Sequence, residues 1–312
     1  METKHLRTFV TIVDLSSFTR AGVKLGLSQS AISQQIGALE RQLGVRLLRR
    51  TGSGARPTAA GELLVDHARQ ILARVDAARR LVSEFDSASG GVLRVGAGGA
   101  ACHHLLPGVL AALRESFPRL ELHVRSGHTD LTLERLVGGE IDVGVLTLPV
   151  AHDKLRLVDL GSDELVLIVA PSHPLASRAR IAPTDLASEP LLICERRSRT
   201  FQLVERMLLE AGVFPRVAME IDHLEAVSKM VARGLGVAIV PRWAIDAEIA
   251  SGDVTAVPIG ANGLSRGWAV GFLEESRPRQ ALRAFVRLCT DRIPAVLDAP
   301  SAPPAERSST KS

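Results

Sequence analysis

Ser28-Gln29-Ser30-Ala31-Ile32-Ser33-Gln34-Gln35-Ile36-Gly37-Ala38-Leu39-Glu40-Arg41-Gln42-Leu43 is the stretch whose reading decides the fold. Ser28 is a good N-cap, because its hydroxyl can accept from one of the first free backbone N–H groups of a helix. Ile32, Ile36, Leu39 and Leu43 then recur at helical spacing and predict one inward face. The opposite face carries Ser30, Ser33, Gln34 and Arg41, with Gln29 at its leading end. Amide and hydroxyl side chains at a helix N-terminus suit base edges in a major groove, since Gln pairs with adenine and Ser adapts to either partner. A merely solvated polar face would look the same in isolation, so the neighbours must decide.

The segment in front decides. Ser17-Phe18-Thr19-Arg20-Ala21-Gly22-Val23-Lys24-Leu25 reads as a short amphipathic helix capped by Ser17, and Gly26-Leu27 makes the tight turn into the next helix. This is the grammar of a helix-turn-helix that reads nucleic acid, rather than of a plain three-helix core. Leu6, Phe9, Val10 and Val13 predict the inner stripe of a further helix that buries the pair. Two glycines among Arg49, Arg50 and Arg56 predict a hairpin wing whose arginines reach phosphates or a narrow minor groove; an ordinary basic turn is the alternative.

Ser17 to Ala21, Leu25 to Ile36, Leu39-Glu40, Leu43-Gly44 and Leu47 to Arg50 closely resemble the N-terminal signature of the LysR-type transcriptional regulators. The likeness continues in Gly139-Glu140-Ile141-Asp142-Val143-Gly144-Val145, Val169 to Leu175 and Met230 to Pro241, which are similar to the effector domain of that family. The resemblance implies an N-terminal winged helix-turn-helix and a long linker helix. It also implies a C-terminal α/β domain of periplasmic-binding-protein type II fold, two lobes with a small molecule between them. It further implies a homotetramer, formed by pairing of effector domains. The family often has an arginine where this chain has Ser53, an aromatic where it has Leu48, and Ser or Thr where it has Gly98 to Cys102.

Bulk properties agree. The 312 residues are too many for one small domain, and 46 % hydrophobic content supports real cores. Residues 1–61 hold nine basic and three acidic side chains, a formal +6; with a total of +4, the remainder carries −2. A basic head on a slightly acidic body is expected when the head alone meets phosphate. The start has no signal-peptide core and no apolar run reaches a membrane span, which predicts a cytoplasmic protein without membrane contact. Cys102, Cys194 and Cys289, few and widely spaced, predict reduced thiols and neither a disulfide framework nor a zinc motif.

Thr58-Ala59-Ala60-Gly61-Glu62 opens a long helix with Thr58 as its cap. Leu64, Ala68, Ile71, Val75, Ala78, Val82 and Phe85 recur at spacings of four and three, a heptad seam about 33 Å long that predicts a dimerisation arm. The alternative is an amphipathic helix folded back on its own domain. A two-fold dimer expects an inverted repeat in double-stranded DNA at a promoter, and RNA polymerase is the further partner such a site implies. The expected domains are 1–61 (winged head), 58–89 (linker helix, with hinge composition at Ser87 to Gly91), 91–293 (effector domain) and 294–312 (disordered tail). Lobe 1 takes 91–162 and 266–293, lobe 2 takes 163–265. Apolar strands separated by helices predict parallel sheets there, with the strand Trp268 to Phe272 and the helix Pro278 to Ile293 returning to the first lobe.

Ligands of open α/β lobes bind beyond the carboxyl ends of strands. That places candidate effector residues at Ala100, Ala101, Cys102 and Thr129 in the first lobe and at Ser198, Arg199, Thr200 and His223 in the second. Hydroxyls, an arginine and helix N-termini favour a small carboxylate; exposed caps and surface charges are the alternative. Gly96 to Ala101 mimics a dinucleotide fingerprint, but the second strand ends Val124-Arg125-Ser126 without the acid a ribose needs, so no cofactor and no NAD-dependent enzyme is expected. Cys102, His103, His104 and His128 could gather as a metal site, and Cys102 with Cys194 as a redox pair, but buried thiols and solvated imidazoles are commoner. No metal and no catalytic residue is assigned. A solute-binding module without a regulatory role leaves the basic head and the heptad arm unexplained.

Overall fold

The computed structural model describes residues 1–51, 54–85, 91–274 and 280–298. Two compact units divide the chain: Met1–Gly91 with Glu134–Ile141, and Val92–Leu133 with the described residues from Asp142 on.

The first unit begins with helices α1 (Thr3–Leu15), α2 (Phe18–Leu25) and α3 (Gln29–Leu43). Ser17 accepts from the Arg20 N–H at 3.2 Å and Ser28 from the Ala31 N–H at 3.2 Å, so both expected caps form. Strands β1 (Leu48–Thr51) and β2 (Gly54–Pro57) pair antiparallel as the wing, and α4 (Ala59–Phe85) follows, capped by Thr58, which accepts from the Gly61 N–H at 3.1 Å. Leu6, Phe9, Ile12, Ile32, Ile36, Leu39 and Leu47 form the buried core. Ile12 is fully buried on α1 together with the expected Leu6 and Phe9, whereas Val10 and Val13 are half-buried. Leu43 does not join the inward face: it is 40 % exposed, because it sits in the last turn, past the helices that cover Ile36 and Leu39.

The wing is tied down at two points that sequence patterning does not reveal. Gly54 has φ +138°, and a Cβ there would lie 2.2 Å from the Ser16 carbonyl oxygen, which accepts from the Ala55 N–H at 2.9 Å. Only glycine lets the strand approach α1 this closely. Glu40 is buried, and its Oε1 accepts from the N–H groups of Leu47 and Leu48 at 2.8 and 3.2 Å.

Helix α4 lies along α1, joined to it by Arg7–Asp76 and Arg69–Asp14 ion pairs, each 2.7 Å at its shorter contact. Val65, Ala68 and Leu72 are buried in the head core as a result. Ala68 is therefore not part of a free dimer seam; the helix turns it inward, toward α1, and it is fully buried within its own chain. Leu64, Ile71 and Val75 stay half-buried and Ala78 exposed, while the Val82, Phe85 and Arg50 side chains, Ser53 and Ser87 to Gly90 lie outside the described residues.

From Val92 on the chain runs β3 (Val92–Ala97), α5 (Gly99–His104), α6 (Leu106–Ser116), β4 (Glu121–Ser126), α7 (Thr129–Val137, of which the second unit takes the part up to Leu133), β5 (Val143–Thr147), β6 (Leu155–Val169), β7 (Leu191–Ile193), α8 (Arg199–Glu210), β8 (Val217–Glu220), α9 (Leu224–Ala232), β9 (Ala238–Pro241), α10 (Asp246–Ala250), β10 (Thr255–Pro258), β11 (Leu264–Leu273) and α11 (Gln280–Leu297). The expected parallel pairing holds for β3 with β4 and β5, and for β7 with β8. Elsewhere the sheet is antiparallel, because β6 and β11 are long crossing strands that run in opposite directions and bind β9, β10 and β5 at their edges. A bulge between Trp268 and Ala269 lets the β6–β11 pair bend as it passes from one lobe to the other. Strand β11 returns to β5, with Trp268 opposite Thr147, as the late strand was expected to do. Helix α11 continues past the expected end at Ile293, through Pro294, to Leu297, whose side chain is buried; only residues from 299 on lie outside the described part of the tail. Among the described residues no helix is long and apolar enough to cross a membrane.

Candidate functional site

On α3, Gln29, Ser30, Gln34 and Arg41 are exposed and Ser33 is half-buried. The Ser28 and Ser30 hydroxyls share a hydrogen bond of 2.9 Å at the helix start. Gly37 lies on the same side, and its missing side chain has a use: a Cβ there would stand 3.5 Å from Nη1 of Arg41, so the guanidinium folds back over the gap. Arg49 and Arg56, directly opposite each other on the wing, are exposed. Leu48, where the family often has an aromatic, is buried in the head core. Replacing Gly37 with Ala leaves that arginine in ordinary contact and removes the conformational entropy of a mid-helix glycine. We expect a gain of about 1 kcal/mol in a urea unfolding curve, and a loss of stability would contradict this geometry.

The second site is a cavity of about 450 Å³ between the two lobes of the second unit. Of the candidate effector residues, Ala100, Ala101, Thr129, Ser198, Arg199, Thr200 and His223 line it. Cys102 does not: α5 turns it toward the core, with its Sγ 3.6 Å from the Ala97 carbonyl. The N-termini of α7, α8 and α9 all open onto this space. The polar groups are already organised. Ser198 caps α8 by accepting from the Phe201 N–H at 3.1 Å and donates to the Glu195 carbonyl at 2.7 Å. Thr129 accepts from the Thr147 N–H at 3.1 Å. Arg199 Nη2 is 2.5 Å from Asp130 Oδ1, which joins α8 of one lobe to α7 of the other.

Beneath these lies a network that sequence reasoning missed. Asp163, 2 % exposed, accepts from Arg266 Nε and Nη2, both at 2.9 Å, and from the Trp243 indole N–H at 2.6 Å. Arg266 also donates to the Thr200 hydroxyl and stacks 4.8 Å over the Trp268 ring. The available signal was charge at the border of each apolar strand, Asp163-Glu164 before Leu165 to Ala170 and Arg266 before Trp268 to Phe272.

The histidines go separate ways. His103 Nδ1 is 2.5 Å from Glu225 Oε1, His104 meets the edge of Trp243 at 5.7 Å between ring centres, and His128 Nε2 faces Glu195 Oε1 at 3.7 Å. His128 Nδ1 accepts from the Leu131 N–H at 3.2 Å, so in the neutral ring Nε2 carries the proton toward Glu195. The His103 hydrogen bond holds the Glu225 carboxyl below the usual range. Cys194 lines the cavity, and burial, with Glu225 and Glu195 adding to it, pushes its thiol up to about 11. Burial raises Cys102 and Cys289 as well, so all three thiols are protonated at neutral pH and are poor nucleophiles.

Comparison with known proteins bears on both sites. The family model described as bacterial regulatory helix-turn-helix protein, lysR family, matches residues 3–62, and the LysR substrate binding domain matches residues 86–294. The chain is 31 % identical to the HTH-type transcriptional regulator MetR of Salmonella typhimurium, over 98 % of this chain and 99 % of that protein. It is 28 % identical to the transcriptional regulator AlsR of Bacillus subtilis, over 88 % and 91 % of the two chains. Full-length CbnR, solved in complex with its target DNA, superposes with a TM-score of 0.67 at 26 % identity, over 93 % of this chain and 99 % of that one. A full-length OxyR from Pseudomonas aeruginosa shares the fold with a TM-score of 0.66 at 24 % identity, over 97 % and 99 % of the chains. With both of its sites matched over nearly its whole length by DNA-binding transcriptional regulators, the chain belongs to the LysR family.

Proposed function

We propose that this regulator acts in the cytoplasm as a homodimer, assembled further into a homotetramer, on an inverted-repeat promoter site, and that a small molecule with an anionic group, bound in the cavity, controls it. The observation that carries the DNA half is the exposed row Gln29, Ser30, Gln34 on a capped helix beside a basic wing. Gln29, Ser30, Ser33 and Gln34 read base edges, Ser28 sets the helix start, and Arg41, Arg49, Arg50 and Arg56 take phosphates or the minor groove. Dimerisation uses the heptad positions of α4 that its own head does not fully bury, Leu64 and Ile71 at the rim of the head core and Val75 and Ala78 beyond it, with Val82 next in the same sequence spacing. In the cavity, Ser198, Arg199 and Thr200 at the start of α8, with Thr129, Ala100, Ala101 and His223 around them, surround the anionic end, where helix dipoles and free N–H groups favour negative charge. Ligand occupancy alters how the lobes close, α4 passes this to the spacing of the two reading heads, and RNA polymerase at the promoter responds. The residue ranges 1–61, 58–89 and 91–293 are the working division into head, linker and effector domain.

Selection of genomic fragments by the purified protein at near-physiological salt, followed by sequencing, tests this reading. Half-sites about one helical turn apart, or a multiple of it, are expected to be enriched beside a small set of operons. In the same assay Gln29→Ala is expected to relax one base pair per half-site, at about 1–3 kcal/mol, and to leave the salt dependence unchanged. Enrichment that is sequence-blind and purely salt-sensitive would reject the assigned reading face.

A further inference from the structure

We propose that the ligand of this cavity carries an ammonium group as well as an anionic one, as an α-amino acid or a similar zwitterion does; the proposal rests on the reading of the cavity given above. The two guanidinium groups that line the space are both neutralised within the protein, Arg199 by Asp130 at 2.5 Å and Arg266 by Asp163 at 2.9 Å. Four more carboxylates, Glu195, Glu220, Asp222 and Glu225, line it as well. Among the described residues, only Glu220 of these has a permanent cation beside it, Arg196 at 3.6 Å. Glu195 and Glu225 face His128 and His103, which bring a full charge only when protonated, and Asp222 has no ion-pair partner among the described residues. A ligand that was only an anion would add negative charge to a wall that already has a surplus of it.

The deeper wall asks for the opposite kind of group. Trp268 is 3 % exposed and lines the cavity, yet its indole N–H has no hydrogen-bond partner among the described residues, and the same holds for Nε of Arg199. Buried donors without acceptors are uncommon in folded proteins, and a ligand carboxylate or carbonyl supplies what they lack. The lining therefore offers both kinds of group: donors, together with the starts of α7 and α8, and carboxylates that can each accept from an ammonium's three N–H groups. A volume of about 450 Å³ suits a molecule of this size with a modest side chain. When an ammonium reaches Glu225 it replaces His103 there, so the contact that now joins α5 to α9 directly would run through the ligand.

The test uses the full-length protein and three matched sets of probes: the common L-α-amino acids, the corresponding carboxylic acids without the amino group, and the corresponding amines without the carboxylate. Thermal shift followed by isothermal titration is expected to find at least one amino acid that binds, with each truncated counterpart weaker by about tenfold or more. Glu225→Gln and Asp222→Asn are expected to weaken that amino acid by about the same factor, and Arg199→Ala to do so from the other end. A carboxylic acid that binds as tightly as its amino acid, and still depends on Arg199, overturns the zwitterion and leaves the anion site standing. Affinity unmoved by Arg199→Ala and by Glu225→Gln overturns both. Absence of binding by every amino acid in the panel overturns the zwitterion.

Discussion

Asp163→Ala is expected to destabilise the effector-binding half by about 3–5 kcal/mol, the penalty of leaving a buried charge without its partner. Arg266 is 8 % exposed and two of its guanidinium nitrogens donate to Asp163, while Trp243 donates a third bond to the same carboxylate. No water can reach these donors as cheaply as the carboxylate serves them. Replacing both partners with apolar residues of similar bulk, Asp163→Leu with Arg266→Met, is expected to recover most of the loss, because the pair's attraction is largely offset by the desolvation of its two charges. Urea unfolding followed by tryptophan emission measures this well: the chain has two tryptophans, and both stand in this network. A loss below about 1 kcal/mol in the single variant would place the pair among ordinary surface ion pairs and reject the assignment.

Glu40→Ala is expected to cost about 3 kcal/mol and to weaken DNA binding uniformly across sequences. The carboxylate accepts from two backbone N–H groups at the start of the wing, and both Leu47 and Leu48 are buried, so its removal orphans two donors at about 1–3 kcal/mol each. The wing then loses its anchor to α3, and the phosphate contacts proposed for Arg49 and Arg56 are expected to weaken with it. A smaller slope of binding against salt is the signature, since fewer counterions are released. Glu40→Gln keeps an acceptor oxygen and is expected to fall between the two. Unchanged stability and unchanged salt slope in Glu40→Ala would mean that the wing is held by Gly54 and Ser16 alone.

These two residues also mark where reading the chain by pattern stops. Local rules found what is local: Ser17, Ser28 and Thr58 cap the helices they were expected to cap, and Gln29, Ser30 and Gln34 are solvent-facing on α3. Partners far apart in sequence were invisible. Asp163 and Arg266 lie 103 residues apart, and Glu40 bonds to backbone atoms, which carry no sequence signal. Strand β6 begins at Leu155, ten residues before its apolar run, because its first part is Leu155-Arg156-Leu157-Val158-Asp159-Leu160 and reads as surface. Ala68 fits a heptad seam and a head-facing stripe equally well, and only the packing of α4 on α1 separates them. The cavity was legible at its helix starts, Thr129 and Ser198 to Thr200, and illegible in its charge balance, since Asp130 and Glu225 acquire their meaning from residues of the facing lobe.

The threading of β11 has a consequence for biosynthesis. The lobe that begins at Val92 is completed by β11 and α11, so its sheet and its helical cover wait for the last sixth of the chain to leave the ribosome. The winged head needs nothing beyond α4 for its core and is free to fold while most of the polypeptide is still being made. A message cut short before about Leu264 would therefore yield a product with an intact reading head and an unfinished body. Such a fragment would keep the helix-turn-helix head without the finished LysR substrate binding domain, which makes the far end of the reading frame the part that joins DNA binding to the cavity.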